Sequence, residues 1–420
     1  MTSLLFAEQF YYPEGWGGAQ LPRDLTMHLA RRGAKVRVVC GSEQYAPIDG
    51  ESSEDPTRAG VVIRRTPRVL RGLIHERKLL RQIVFCVTGW PLLVLGQAPD
   101  LFITQTNPPL FVPLVAAAAL LRRRPFMIIA QDIYPEVLFA HGMARPDVFP
   151  GRWLTRLFAW AYRRATKVVA LGPVMAQRLM HKGVRAERIE IISNWATGEA
   201  AVVRGESNQL RLAWGLRGQF VILYSGNIGI AHDIETPIAA LRLLLQERPE
   251  TRLVFVGQGS RSMEAERLAA EAGVSHAVQF RPLVPAAMLP HSLGLADLAL
   301  VTLREGFDGL VVPSKLIGYM ARGLPTVYVG PPSDVDQLLI ESGGGTSVRN
   351  GDAPALARVI RSWIQQPERL ARLGEQAAHY YERHLSRARG LEKYEQLIEA
   401  VLKGAAARAR RHEADTADRS

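Results

Sequence analysis

Asp308-Gly-Leu-Val-Val-Pro-Ser-Lys315-Leu-Ile-Gly-Tyr-Met-Ala-Arg-Gly323-Leu-Pro-Thr-Val327 is the stretch on which the reading of this chain turns. The apolar run Leu298 to Leu303 before it predicts a buried strand. Pro313-Ser314 predicts a helix start with Ser314 as N-cap, Gly323 with Pro325 two residues on ends the helix, and Thr326 to Val329 begins another strand. Strand, loop, helix and strand in this order make a unit of a parallel α/β sheet. The helix of such a unit opens at the carboxyl ends of the strands, where these sheets bind ligands. Lys315 falls in its first turn, where free N–H groups and the helix dipole favour a phosphate, and the lysine adds a full charge. Spacings of three, four and seven put Lys315, Gly318, Tyr319 and Arg322 on one face and leave Leu316, Ile317 and Met320 for the core. A solvated lysine at a helix start is the plainer alternative.

Outward from this stretch, 420 residues with 47% hydrophobic composition make room for two globular domains of ordinary size. The formal charge is +12, and the surplus gathers in the first half. Arg64, Arg65, Arg68, Arg71, Arg77, Lys78 and Arg81 have only Glu76 as an acid among them, and further clusters stand at 122–124 and between Arg152 and Lys167. An anionic partner is implied. No nucleic-acid module is recognisable, which leaves an anionic membrane surface as the other candidate. Cys40 and Cys86 lack metal-ligand spacing and read as buried thiols of a reducing compartment. The chain starts on a strand-like run with no signal pattern. Ile83 to Leu95 and Leu110 to Leu121 fall short of the roughly 20 residues of a spanning helix. They read as core helices or, with arginines beside both, as membrane-surface contacts.

In chain order, Ser3 to Ala7 reads as a strand, Leu21 to Arg32 as a helix and Lys35 to Cys40 as a strand. The loop between the first two holds Tyr12, Glu14 and the pair Gly17-Gly18, but not the glycine fingerprint of dinucleotide binding. Strands follow at 61–65, 101–105 and 125–130, with Asn107 in a turn and a helix at 110–121. Asp132, just past the third of these strands, stands where active sites of this architecture lie, or else caps the next helix. Helix 152–166, strand Lys167 to Ala170, helix 172–182 and strand 189–192 complete the first half. Polar residues from Ala196 to Gly218 mark the boundary. In the second half, strands 220–225 and 252–256 both end in glycine turns, Gly226-Asn227-Ile228-Gly229 and Gly257-Gln258-Gly259, of the kind that lets backbone amides reach phosphate or ribose. Three helices at 353–365, 367–384 and 389–403 follow, and the charged, alanine-rich end reads as frayed or disordered.

The order of these pieces is more informative than any one of them. Phe10-Tyr-Tyr-Pro-Glu14 with Gly17-Gly18, Thr106-Asn-Pro-Pro-Leu110, Asp132-Ile-Tyr-Pro-Glu136, Ser193-Asn-Trp195, Tyr224-Ser-Gly-Asn-Ile-Gly229, Phe255-Val-Gly-Gln-Gly259, Pro313-Ser-Lys315 and Gly323-Leu-Pro325 occur in that sequence. From Leu4 to about Leu402 the chain resembles the retaining glycosyltransferases of family four, and most closely those of colanic acid, capsule and O-antigen synthesis. The resemblance implies the GT-B fold: two Rossmann-like, doubly wound α/β domains facing across a cleft. An acceptor domain would occupy 1–200 and a nucleotide-sugar donor domain 215–385. A helix at 386–403 would pack back on the first domain, ahead of a disordered tail at 404–420. It also implies roles. Gly17 and Gly18 approach the donor pyrophosphate, Gly226 and Asn227 line the same cleft, and Gly257 and Gly259 lie near the nucleotide. Lys315, with Ser314 beside it, neutralises the pyrophosphate with neither metal nor cofactor. Tyr12, Glu14, Asn107 and Glu136 are acceptor-side candidates, and Asp132 and Lys315 the catalytic pair.

The chain departs from the wider family at two points. The paired-glutamate positions hold Leu310 and Gly318, leaving Asp308 or Glu305 as substitutes, and the arginine and lysine usual after the first strand of the second domain give way to Ile228 to Asp233, with His232 and Asp233 as polar candidates. The implied activity is sugar transfer from a nucleoside-diphosphate sugar to a lipid-linked glycan, the protein being cytoplasmic and peripheral at the inner face of the membrane. A nucleotide-sugar epimerase of the same fold and a non-catalytic nucleotide-sugar scaffold are the alternatives.

Overall fold

The computed structural model describes residues 2–13, 17–41, 54–67, 78–198 and 201–417, and statements of absence below concern these residues. The chain divides into two compact units. Met1–Ser193 with Ala388–Ser420 form the first and Asn194–Arg387 the second.

In the first unit β1 (Ser3–Ala7), β2 (Lys35–Cys40), β3 (Val62–Arg65), β4 (Leu101–Gln105), β5 (Phe126–Ile129), β6 (Lys167–Ala170) and β7 (Ile189–Ile191) form one sheet, in the order β3-β2-β1-β4-β5-β6-β7. Every pair is parallel, with Leu4 between Val36 and Leu101. Leu4, Leu5, Phe6, Leu101, Phe102 and Ile103 are all buried. These continuous apolar runs, in place of alternation, are what a strand covered on both faces requires. Because the chain builds β1 to β3 outward and then returns to lay β4 on the other side of β1, the order reverses between β1 and β4. The carboxyl ends of those two strands diverge there into a crevice.

The second unit repeats the plan. β8 (Phe220–Ser225), β9 (Thr251–Val256), β10 (Val278–Arg281), β11 (Leu298–Thr302), β12 (Thr326–Val329) and β13 (Gly345–Val348) lie in the order β10-β9-β8-β11-β12-β13, all parallel. Its switch point is between β8 and β11. Ile222, Tyr224, Leu253, Phe255, Leu298 and Val327 pack with Ile238, Leu241 and Trp363 of the flanking helices into one core.

The last helix, Arg387–Ala417, belongs with the first unit: Tyr394 is fully buried, and Glu395 accepts from His28 at 2.9 Å and Arg32 at 2.8 Å. It is helical as far as Ala417, over most of the stretch expected to be disordered, because its alanines and arginines are strong helix formers. Helix Ser262–Glu271, β10 and helix Asp334–Ser342 were not separately legible. Each is short, and their polar residues blur the hydrophobic period. Ile83 to Leu95 lies mostly in the helix Lys78–Val94, and Leu110 to Leu121 in Phe111–Leu121, whose Phe111 ring centroid is 4.4 Å from that of Phe85. No helix among the described residues is long and apolar enough to cross a membrane.

Candidate functional site

Two glycine turns build the carboxyl edge of the second unit. The Gly226 amide donates to Val256 at 2.8 Å and Ile228 to Gln258 at 3.2 Å, so the turn after β8 lies directly on the turn after β9. Both Gly226 (φ 127°) and Gly257 (φ 138°) have positive φ. A Cβ on Gly257 would stand 2.2 Å from the Gly226 carbonyl oxygen, and one on Gly259 2.2 Å from that of Ile228. Only glycine lets the two backbones approach so closely. A Cβ on Gly226 would meet the Lys315 side chain, 2.8 Å from Cε. The lysine therefore lies against the bare backbone of the turn that the sequence marked for ligand approach.

Lys315 is held from three directions. Its Nζ stands 4.8 Å from the centroid of the Tyr224 ring and 3.4 Å from His232 Nε2. The other ring nitrogen, His232 Nδ1, is 2.9 Å from the Thr302 carbonyl oxygen. A carbonyl only accepts, so Nδ1 carries the proton and Nε2 offers its lone pair to the lysine. Burial, and then the charge of Lys315, push the imidazole down to about 3, so it stays neutral. Burial lowers the ammonium from 10.5 to about 8. A half-buried cation with one neutral acceptor and an aromatic face is short of counter-charge among the described residues, which favours an anion beside it.

The surroundings are braced. Tyr224 Oη donates to the Asn227 carbonyl at 2.8 Å, and Tyr319 Oη accepts from the Ser225 amide at 2.8 Å. Arg261 donates to the His232 carbonyl at 2.7 Å while its fork holds Glu235 and Glu264. Two expectations change here. Ser314 is exposed and makes no side-chain cap bond, its backbone being already helical. The helix it precedes, Lys315–Met320, has six residues, too few for a strong dipole, so the side-chain charge of Lys315 carries the anion preference. Of the two polar candidates after β8, His232 joins the site. Asp233 instead accepts from Thr236 and Asn350, tying two loops together.

At the carboxyl edge of the first unit, Thr106 Oγ1 accepts from the amides of Gln131 at 3.0 Å and Asp132 at 3.1 Å, which fixes the loop after β5 to the loop after β4. Asp132 is not the helix cap: the next helix starts at Glu136 with Pro135 in the cap position. Burial raises the Asp132 carboxyl from 3.8 to about 6. Glu136 is engaged by Lys182 at 2.5 Å. Glu8, at the end of β1, is buried, accepts from the Gln105 amide at 3.1 Å, and is held well above the usual carboxylate range by desolvation. The Tyr12 carbonyl accepts from Arg65 at 2.5 Å, Asn107 is partly buried, and Gly17 and Gly18 open the helix Gly17–Arg31. Glu14 lies outside the described residues.

The sequence reading missed Tyr224 as the face beneath the lysine, Thr106 as the loop tie, Arg261 as the brace and Glu8 as a second buried acid. An apolar run ending in an acid was the available signal for Glu8. Tyr224 had none, since a tyrosine inside an apolar strand reads as core. A cavity of about 440 Å³ opens at the other end of the second sheet, lined by Arg204, Arg211 and Asp297. Arg211 pairs with Asp297 at 2.9 Å, and Asp297 also accepts from the Val221 amide, so these groups bind the fold together. Among the described residues no group of three or more His, Cys, Asp or Glu is placed to hold a metal ion.

Two doubly wound parallel units, one with a cationic, glycine-lined carboxyl edge, are the architecture of GT-B glycosyltransferases. Residues 17–195 match the family model described as glycosyl transferase 4-like domain, and residues 209–380 that described as glycosyl transferases group 1. The chain belongs to this family and is a glycosyltransferase. It is 28% identical over 310 residues to a protein of Pseudomonas aeruginosa named as glycosyltransferase WbjE, covering 72% of this chain and 75% of that one. It is 26% identical over 413 residues to one of Escherichia coli named as colanic acid biosynthesis glycosyl transferase WcaI, covering 91% and 96%. Among solved structures, Anabaena Alr3699/HepE in complex with UDP superposes with a TM-score of 0.72 at 16% identity, over 95% of this chain and 100% of that one.

Proposed function

We propose that the protein transfers a hexosyl or N-acetylhexosaminyl group, with retention of anomeric configuration, from a nucleoside-diphosphate sugar to a glycan carried on a polyprenyl diphosphate. The pathway would be exopolysaccharide, capsule or O-antigen synthesis at the cytoplasmic face of the membrane. The observation that carries this reading is Lys315, a half-buried cation set against Gly226 at the β8/β11 switch point with only a neutral histidine for a polar partner. When the sugar–phosphate bond breaks, its electron pair goes to the leaving diphosphate, and a preorganised cation lowers the cost of that charge. Gly226, Asn227, Gly257 and Gly259 give the diphosphate and nucleoside room against bare backbone, with Ser314 beside the lysine. Asp132 orients the acceptor hydroxyl and takes up its proton as the new bond forms, for which a carboxyl near 6 is suited. Tyr12, Glu14 and Asn107 are the acceptor-side contacts.

HepE has been solved with UDP and with UDP-glucose, and the name of WcaI refers to colanic acid. Both support a sugar-nucleotide donor and a polysaccharide product. The deciding experiment incubates the protein with a panel of nucleotide sugars and polyprenyl-diphosphate acceptors. Free nucleoside diphosphate and labelled lipid are followed together, and the anomeric configuration of the product is read by NMR. Equal release of diphosphate and transfer of label, with retention, is expected. Diphosphate release without labelled lipid from any donor would overturn the acceptor assignment, and an inverted product would overturn retention.

A further inference from the structure

Four large apolar side chains between residues 143 and 153 stand in water: Met143 is 73% exposed, Val148 44%, Phe149 82% and Trp153 53%. One such residue is ordinary, but four so close in sequence form a patch that calls for a partner. The backbone that carries them is fixed. Gly142 and Met143 donate to Phe139 and Leu138, Arg152 donates to Val148 at 3.0 Å and Leu154 to Pro150 at 3.0 Å. Gly151 lies so tightly on the loop that a Cβ there would be 1.8 Å from the Arg145 carbonyl oxygen. The apolar side chains are thus held outward by a braced turn.

Beside them runs a row of charge. The helix Gly151–Arg164 buries Phe158, Ala161 and Tyr162, and it exposes Arg152, Arg156 and Arg163 at spacings of four and seven. Between His141 and Arg164 there are five arginines and one aspartate, a net of 5 − 1 = +4. Asp147 is already taken by Arg145 at 2.8 Å. A nucleic acid would suit the arginines but not Met143, Val148 and Phe149. An apolar protein surface would suit those three but leave the arginine row unmatched. An anionic bilayer takes both: apolar tips enter the acyl boundary, a tryptophan settles at the headgroup level, and arginines meet lipid phosphates.

We infer that the turn holding Met143, Val148 and Phe149, with Trp153 and the Arg152–Arg156–Arg163 row, is the surface by which the protein seats on an anionic membrane. The inference rests on the proposed lipid-linked acceptor; within the basic run Arg64 to Arg81, residues 68–77 lie outside the described residues. The turn follows in the chain the loop that carries Asp132 at the carboxyl end of β5, and Gly151 packs on Phe139 of the short helix between them, a Cβ there standing 3.3 Å from the Phe139 ring.

The test uses the full chain and vesicles of phosphatidylcholine with or without phosphatidylglycerol. Flotation should be seen with the anionic vesicles and weaken with salt. In Phe149→Ser/Trp153→Ser, and separately in Arg152→Glu/Arg156→Glu, partition should fall by about tenfold or more, as expected when aromatic burial or phosphate attraction is lost. Transfer to a short-chain, water-soluble acceptor should be unchanged in both, while transfer to long-chain acceptor in vesicles falls. Flotation equal to wild type in both variants, or none by the wild type, overturns the inference. So does a wild-type dimer that the first variant dissociates without any vesicle binding, which would assign the patch to self-association. Intact vesicle binding with no transfer to any acceptor would overturn the acceptor reading and leave the membrane surface standing.

Discussion

The two units run the same strand order to their switch points and load those points with opposite chemistry. At the β8/β11 edge a lysine lies on glycine backbone beside a neutral imidazole, and burial works against the positive charge. At the carboxyl edge of the first unit two carboxyl groups, Glu8 and Asp132, are desolvated, and burial works against the negative charge. One edge therefore carries a desolvated cation and the other two desolvated carboxyl groups. Topology decides where a site can be, and side-chain charge decides which ligands it favours.

Removing the proposed base should break that contrast most severely. Asp132→Asn should lower transfer by about 10²- to 10⁴-fold, the usual contribution of a positioned acid–base group, while nucleotide binding measured by calorimetry persists. The same variant has a stability signature. The folded carboxyl at about 6 lies above its ordinary 3.8, so its stabilising contribution is full below about pH 3.8 and is lost as pH rises through about 6. Asp132→Asn should therefore melt higher than wild type at pH 8, with the difference vanishing near pH 4. Near-normal transfer would return Asp132 to a purely structural role.

Next in size is the opposite edge. Lys315→Ala should cost about 10²- to 10³-fold in transfer, as for other single charge-stabilising groups. In the wild type kcat/KM should fall above about pH 8, where the half-buried ammonium loses its proton, and below about pH 6, where Asp132 gains one. An alkaline limb that survives in Lys315→Ala would mean that another group titrates there.

A smaller effect tests the glycine packing alone. Gly257→Ala places a Cβ 2.2 Å from a backbone oxygen at φ 138°, and should lower stability in urea by about 1–3 kcal/mol. An unchanged midpoint would show that the paired turns can move apart. Smallest is Glu136→Gln, which keeps a hydrogen bond to Lys182 but removes the charge, for about 0.5–1.5 kcal/mol, with transfer within a few-fold of wild type. A large loss of transfer at full stability would make Glu136 an acceptor contact after all.

Much of the fold was legible because its strands are buried on both faces. Lys35–Cys40, Lys167–Ala170 and Phe220–Ser225 were read at their observed bounds. Lys315 was legible too, since a lysine after Pro-Ser at a helix start is a local signal, and so were the glycines at the ends of β8 and β9. His232 was visible only as a polar residue. Its tautomer and its pairing with Lys315 depend on the Thr302 carbonyl, 70 residues away.

The sequence alone determined two doubly wound domains, the glycine turns at their strand ends and a lysine at a helix start beside them, because local periodicity and backbone freedom are written residue by residue. Only the tertiary structure decided that Ser314 does not cap, that Asp132 is half-buried and caps no helix, that Tyr224 and His232 hold the lysine, and that Phe149 and Trp153 face outward. Each of these is a matter of desolvation or of contact between distant segments. Burial of a charge or exposure of an aromatic ring is a property of everything packed around it.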